Sequence, residues 1–138
     1  MSEFGYAGKI LKVDLSNRHV TMFSTSDYSS RFIGGRGIAT RLYWDNVPLE
    51  ASSSDPKNCL VCASGPVAGF TGFMGSRWFA CGKTAASAAD IFSYGNLGGG
   101  WGILLKHAGY DGIVVQGQAE KPAYIFIHEG DVEIRDAS

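Results

Sequence analysis

The chain has 138 residues, of which 45% are hydrophobic and 18% are charged, and its formal net charge is -1. This balance predicts one globular domain with its own core, and it excludes a disordered tail or a nucleic-acid binder that relies on bulk charge. No apolar run approaches the roughly 20 residues of a membrane helix and no secretory leader is evident, so we predict a cytoplasmic protein with no membrane or nucleic-acid partner.

Alternating apolar residues and glycine-rich turns predict an α+β fold with mixed or antiparallel sheets and a few short helices. The predicted elements, in chain order, are strands at Lys9–Leu15 and Val20–Ser24, helices at Asp27–Ile33 and Arg36–Asp45, strands at Leu60–Ala63 and Ser76–Cys81, a helix at Gly102–Ala108, a strand at Ile113–Gln116, and a hairpin of Ala123–His128 with Val132–Arg135. Gly5–Gly8 and Gly109–Gly112 share a Gly-Tyr-x-Gly pattern and each precedes a strand, a turn and a strand, which suggests an internal duplication.

Glycine is the outlier of the composition, with 19 residues that cluster at Gly34–Gly35, Gly69–Gly75 and Gly95–Gly102. This is roughly twice the average share of about 7%. Glycines gather where the backbone turns tightly and where a ligand approaches the backbone closely, and both explanations stay open for each cluster.

Arg77 lies on the predicted strand Ser76–Cys81 and shares a face with Phe79 and Cys81. A guanidinium group cannot lose its charge, so a partly buried arginine requires an anionic or hydrogen-bonding partner. That partner is either a carboxylate of this chain or an anionic ligand. Because bare glycine backbone and a helix start follow Arg77, the sequence favours a phosphorylated, planar ligand.

The three cysteines are predicted to be small buried hydrophobic residues. Cys59 and Cys62 have the spacing of a metal-binding pair, but residues three apart on a strand point to opposite faces. Cys81 lies on another predicted strand, and three thiols are too few for a four-thiolate cluster from this chain alone.

Two nucleotide-binding motifs fail on inspection. Gly82-Lys83-Thr84 resembles the end of a phosphate-binding loop, but that loop requires glycine at the position of Arg77. The run at Gly98–Gly100 lacks the third glycine of a dinucleotide fingerprint, because Ile103 occupies that position. No complete catalytic set is evident, so we predict a binding role with no catalytic residue in this chain.

Six segments fall together in the order and spacing found at the start of tungsten-containing aldehyde ferredoxin oxidoreductases, and the chain resembles that family over nearly its whole length. The segments are Gly8–Leu15, Phe32–Gly37, Ala63–Pro66, Gly75–Arg77, Asn96–Gly99 and Leu105–Asp111. The resemblance implies an N-terminal α+β domain, built by duplication, that forms the base under a tungsten or molybdenum ion held by two dithiolene pterins.

The resemblance also assigns cofactor contacts to residues of this chain. It implies that Arg77 contacts the pterin, and that Asn96, Gly98 and Gly99 lie at the pterin phosphates. It further implies that the backbone carbonyl of Asn96 helps to coordinate a magnesium ion that bridges the phosphates. A fork-shaped donor, bare backbone and an oxygen-coordinated hard cation suit these roles.

The implied activity is the oxidation of aldehydes to carboxylic acids in anaerobic metabolism, with electrons passed through a [4Fe-4S] cluster to ferredoxin. Residues 1–138 are then expected to be most of one tungstopterin-binding domain, with the iron–sulfur cluster and the substrate-binding domains in the downstream part. The expected partners are ferredoxin, the remaining domains or subunit, and further copies in a homo-oligomer. The chain alone is expected to be inactive.

Two alternatives keep the same fold. The chain could serve a related aromatic acyl-CoA reductase as a subunit. It could also be a non-catalytic interaction or assembly module, with Phe70, Phe73 and Met74 as an exposed contact patch.

Overall fold

A computed structural model describes residues 5–70, 72, 75–86 and 90–138. The elements are β1 (Lys9–Asp14), β2 (His19–Ser24), α1 (Ser26–Ser29), α2 (Gly34–Asn46), β3 (Cys59–Ser64), β4 (Trp78–Lys83), β5 (Phe92–Leu97), α3 (Trp101–His107), β6 (Gly112–Gln116), β7 (Ala123–His128) and β8 (Asp131–Asp136). None of the helices in these ranges is long and apolar enough to cross a bilayer.

The main sheet has six strands in the order β2-β1-β6-β3-β4-β5, and β7 and β8 form a separate two-stranded sheet. β6 lies between β1 and β3, parallel to β1 and antiparallel to β3. The remaining pairs of the main sheet are antiparallel. These mixed sheets with short helices confirm the predicted α+β fold. The duplication suggested by the two Gly-Tyr-x-Gly segments stays a prediction.

One face of the main sheet is covered by α2. Because Ile38, Ala39, Leu42 and Tyr43 recur at intervals of three and four, they lie on one side of the helix and are buried against the strands. The strand residues of this core are Ile10, Cys59, Val61, Ala63, Phe79, Cys81 and Val114. The helix predicted from Arg36 is therefore confirmed.

The opposite face of the sheet is covered by α3 and by the β7–β8 hairpin. The buried residues of this second core are Leu11, Val13, Cys62, Leu105, Tyr110 and Ile113. Ile125 and Ile127 of β7 and Val132 and Ile134 of β8 pack on it from the hairpin. The sheet is therefore the middle layer of three.

Asp111 ties the start of the chain to the centre of the sheet. Its side chain is 1% exposed and accepts hydrogen bonds from the backbone N–H groups of Ala7 (2.9 Å) and Gly8 (2.8 Å) and from the Thr25 hydroxyl (2.7 Å). Lys106 Nζ lies 3.5 Å from Asp111 Oδ1 and also donates to the carbonyl of Gly65. The segment Leu105–Asp111, quoted above for its resemblance, therefore has a structural role.

Lys106 does not lie on the solvent side of α3, although it is charged. Its side chain is only 10% exposed because it reaches inward to Asp111, whereas Leu104 of the same helix is exposed. Burial lowers the pKa of Lys106, and the Asp111 carboxylate partly opposes that shift.

Two further differences concern local structure. The helix predicted over Asp27–Ile33 is a single turn, Ser26–Ser29, and Thr25 does not cap it because its hydroxyl is bonded to Asp111. β5 was not predicted at all, since its glycine-containing and polar sequence lacks the apolar alternation of a half-buried strand. β5 forms because it pairs with β4, a long-range contact that its local pattern does not indicate.

The three cysteines are free and buried, as predicted. Cys59 and Cys81 belong to the α2 core and Cys62 to the opposite core, so the two members of the Cys59–Cys62 pair face different sides of the sheet. Burial raises the pKa of Cys62 to about 11 and that of Cys81 to about 12, and it also raises the pKa of Cys59.

We expect the thiols to react with a disulfide reagent only as fast as the chain unfolds, and to react at once in denaturant.

Above their ordinary pKa of 9.0 the unfolded thiols ionise while the folded ones stay protonated. Their contribution to stability is therefore full below pH 9 and is lost as the pH rises toward the folded values. Urea unfolding at neutral and at alkaline pH measures that loss of stability. Rapid labelling of the folded chain would contradict the slow reaction expected of buried thiols.

Candidate functional site

β5 is the edge strand of the main sheet, and all six of its residues are exposed. Its register with β4 places Leu97 opposite Trp78 and Asn96 opposite Phe79. Arg77 directly precedes Trp78, and Gly98 directly follows Leu97. The register therefore brings Arg77, Asn96 and Gly98 to one corner of the sheet, with Gly99 next along the chain. We call this the β4–β5 corner.

Arg77 is exposed and lies one residue before β4, so the prediction that it sits partly buried on the strand is wrong. The strand begins instead at Trp78, whose ring packs against Trp101 of α3 with centroids 4.3 Å apart. In the described part of the chain the ion pairs are Arg41–Asp45, Lys106–Asp111, His128–Glu129 and Arg135–Glu133. Arg77 has no carboxylate partner there, so the structural explanation for this arginine finds no support.

The glycine loop after β5 is open. A Cβ atom built on Gly98, Gly99 or Gly100 would meet no atom of the described residues within 4 Å. Gly99 has φ +86°, which favours glycine. Gly98 and Gly100 do not have a positive φ, so their backbone conformation does not require glycine. By contrast, a Cβ on Gly102 would lie 2.9 Å from Trp78 Cβ. Packing within the described chain therefore explains Gly102 but not Gly98 or Gly100, and close approach of a ligand remains the better explanation.

The loop is held from the α3 side of the sheet. Trp78 Nε1 donates to the carbonyl oxygen of Gly98 at 3.3 Å, and Gly102 packs directly on the same tryptophan side chain. These contacts fix the loop without covering its other side. The backbone beside Asn96 is thus positioned but accessible, which is what a bound group needs.

Arg36 was not singled out as a site residue from the sequence, although it lies inside the segment Phe32–Gly37 that carries the resemblance. Its guanidinium carbon is 4.9 Å from the ring centroid of Tyr94 and 5.5 Å from that of Phe79. Tyr94 is on β5 and Phe79 is opposite Asn96. Arg36 is therefore beside the β4–β5 corner, and only the strand register brings it there.

The Gly82-Lys83-Thr84 motif falls outside this corner. Lys83 of the Gly82-Lys83-Thr84 segment donates to the carbonyls of Leu49 and Ala51, which agrees with its exclusion as a phosphate-binding lysine. Phe70 of the alternative contact patch is exposed, whereas Phe73 and Met74 lie outside the described residues.

The corner combines donors that suit a phosphorylated group. Guanidinium groups bind phosphate oxygens through paired N–H donors, and bare backbone lets such a group approach closely. Carbonyl and phosphate oxygens are also the ligands that magnesium prefers. The residues present therefore fit the phosphate ends of a pterin cofactor, and they include no acid or base poised for catalysis.

Residues 10–138 match the family model for the N-terminal domain of aldehyde ferredoxin oxidoreductase. The chain belongs to the aldehyde ferredoxin oxidoreductase N-terminal domain family. This confirms the resemblance noted from the six segments, and it places the chain in a family of oxidoreductases.

Curated relatives agree with the family. The chain is 37% identical to the aliphatic sulfonate oxidoreductase, WOR-like subunit, of Pyrococcus furiosus and 36% identical to the tungsten-containing aldehyde ferredoxin oxidoreductase of Thermococcus kodakarensis. Each alignment covers 98% of this chain and 22% of the relative. The chain therefore spans about a fifth of the length of the curated relatives it matches.

Among solved structures, the chain is similar to the active site complex BamBC of benzoyl coenzyme A reductase in complex with 1,5-dienoyl-CoA. The TM-score is 0.90 at 30% identity, over 97% of this chain and 20% of the other. The fold is thus shared between aldehyde ferredoxin oxidoreductases and a reductase complex. Membership of the family fixes the domain type more sharply than it fixes the substrate.

Proposed function

We propose that this chain holds the phosphate ends of a tungsten bis-pterin cofactor in an aldehyde-oxidising enzyme. Arg77 would contact the pterin, and Asn96, Gly98 and Gly99 would lie at its phosphates. The backbone carbonyl of Asn96 would help to coordinate the bridging magnesium ion. The observation that carries the proposal is the β4–β5 corner, where an exposed arginine without a carboxylate partner in the described chain lies beside open glycine backbone.

When bound, the tungsten–pterin group supplies the two-electron oxidation of an aldehyde to a carboxylic acid. Arg77 and the backbone of Asn96, Gly98 and Gly99 would hold and orient the group through charge-assisted hydrogen bonds. We further propose that the electrons leave through a [4Fe-4S] cluster in the downstream part of the enzyme to ferredoxin. The enzyme would work in the cytoplasm as a homo-oligomer, and residues 1–138 alone would be inactive.

Metal and pterin analysis of the protein purified without oxygen from its native host tests this proposal. We expect tungsten, with two pterins per metal, to copurify with the polypeptide, because the corner presents donors that suit a pterin phosphate. Molybdenum in place of tungsten would keep the binding role and change the metal. A protein that contains neither metal nor pterin would overturn the proposal and favour a non-catalytic assembly module.

A second candidate is a subunit of an aromatic acyl-CoA reductase. The observation that favours it is the TM-score of 0.90 with the BamBC complex. This chain would have the same fold in either enzyme, so the assay must separate the two candidates by substrate. Oxidation of simple aldehydes with ferredoxin as acceptor would support the first, and turnover of an aromatic CoA thioester only in the presence of a copurifying subunit would support the second.

A further inference from the structure

Arg36 is placed by the start of α2, where two glycines perform different tasks. Gly34 has φ +52° and is so close to the neighbouring loop that a Cβ there would lie 2.5 Å from Pro66 Cδ. Gly35 has φ 35° and ψ -111°, a non-helical conformation that kinks the chain. The contact with Pro66 and the kink together fix the position at which Arg36 enters the helix.

The side chain of Arg36 lies across two aromatic rings. Phe79 and Tyr94 are stacked with centroids 5.3 Å apart, and the guanidinium lies within 5.5 Å of both centroids. A cation held over ring faces is orientated by them and keeps its N–H donors available at its edges. This contact therefore restrains the arginine without using its hydrogen-bonding groups.

The charge of Arg36 has no carboxylate partner in the described part of the chain. Arg41 on the same helix differs, because its Nη2 lies 2.7 Å from Asp45 Oδ1. Arg77 also lacks a carboxylate partner in the described residues. Both arginines are exposed and lie near β5, the edge strand whose residues are exposed. An anion with several charged oxygens can accept hydrogen bonds from more than one guanidinium group.

The face of the strand relates Arg36 to Asn96. Tyr94 and Asn96 are two residues apart on β5, so they lie on the same face of the sheet at a separation of roughly 7 Å. Since Arg36 lies over Tyr94, it is on the face that Asn96 presents. An anion beside Asn96 is therefore within reach of a long arginine side chain.

We propose that Arg36 is an additional anchor for the phosphate groups bound at the β4–β5 corner. This inference rests on the proposed function, since it takes the phosphorylated cofactor as the ligand. Arg36 would bind a phosphate oxygen through its free N–H donors while Phe79 and Tyr94 hold the guanidinium in place. Its role is binding and positioning, and it takes no part in proton transfer.

The test compares Arg36→Ala, Arg36→Gln and Arg36→Lys in the complete protein, purified without oxygen from a host that supplies tungsten and pterin. We expect the alanine and glutamine variants to lose tungsten and pterin about tenfold faster than the wild type during dialysis, because a charge-assisted hydrogen bond mainly slows dissociation. Lysine keeps the charge but not the fork, so Arg36→Lys should recover part of the retention.

Arg31→Ala is the matched control. Arg31 is also exposed and lies over a ring, that of Phe32 at 5.9 Å, but this ring is not part of the β4–β5 corner. We expect it to retain tungsten as the wild type does. The melting temperature of each metal-free variant, measured in parallel, separates cofactor loss from unfolding, and Arg36→Gln serves if the alanine variant is unstable.

The outcomes separate this inference from the proposed function. If Arg36→Gln keeps wild-type retention while Arg77→Ala loses the cofactor, Arg36 is not an anchor and the proposed function stands. If Arg36→Gln and Arg31→Ala lose tungsten equally, the effect is one of general charge and the inference also fails. A wild-type protein that contains no pterin overturns both.

Discussion

Asp111→Asn is expected to lower the free energy of unfolding by about 3–5 kcal/mol, because it breaks a buried, hydrogen-bonded ion pair. The two carboxylate oxygens accept from Ala7, Gly8 and Thr25, and the Lys106 ammonium is 3.5 Å away. An asparagine presents an N–H₂ group in place of one acceptor and leaves the lysine charge without its partner. Urea unfolding of the chain, followed by tryptophan fluorescence, measures the loss.

Asp45→Asn is the control for this prediction. It removes an ion pair of the same type, Arg41–Asp45, from the exposed surface of α2. Such pairs contribute about 0.3–0.5 kcal/mol, so the control should be almost neutral. Adding Lys106→Met to Asp111→Asn should restore part of the stability, since it removes the uncompensated charge. Equal losses for Asp111→Asn and Asp45→Asn would contradict the structural role assigned to Asp111.

Arg77→Ala is expected to cause the largest loss of cofactor. A hydrogen bond to a charged group contributes about 1.5–3 kcal/mol, which corresponds to an affinity about 10–100-fold lower when it is removed. Because Arg77 is exposed and has no partner within the described chain, its removal should leave the stability of the metal-free protein unchanged. Tungsten and pterin content per polypeptide after dialysis measures the effect.

The same measurement on Arg77→Lys separates charge from geometry. Lysine supplies a point charge without the planar fork, so we expect retention between that of the wild type and that of the alanine variant. Arg31→Ala again serves as the exposed arginine control. Unchanged tungsten content in Arg77→Ala would remove this residue from the proposed site.

The sequence predicts the core of the fold well because residues on a buried face are apolar and recur at the period of the strand or helix. Strands such as Lys9–Asp14 alternate and α2 repeats at three and four, so their buried faces are readable without the structure. β5 lacks this signal, since an edge strand with exposed residues on both faces has no apolar alternation to display. Its existence follows only from its pairing with β4.

The candidate site is readable only in part, for a related reason. Arg77, Asn96 and Gly98 stand out because short motifs and open glycine backbone mark them, and the register then brings them together. Arg36 is about 40 positions away from Arg77, and nothing local connects it to Tyr94. The segment Leu105–Asp111 carries part of the resemblance, and its lysine and aspartate form an ion pair inside the fold.

The order of the strands in the sheet differs from their order along the chain, and this affects how the domain is made. β6 is the sixth strand to be translated, yet it occupies the interior position between β1 and β3. Until it leaves the ribosome, the β1–β2 hairpin and the β3–β5 meander each carry an unpaired strand that can associate with other chains. The nascent protein therefore completes its sheet late. The unpaired edges of β1 and β3 stay open to a molecular chaperone until β6, which begins at Gly112, has emerged.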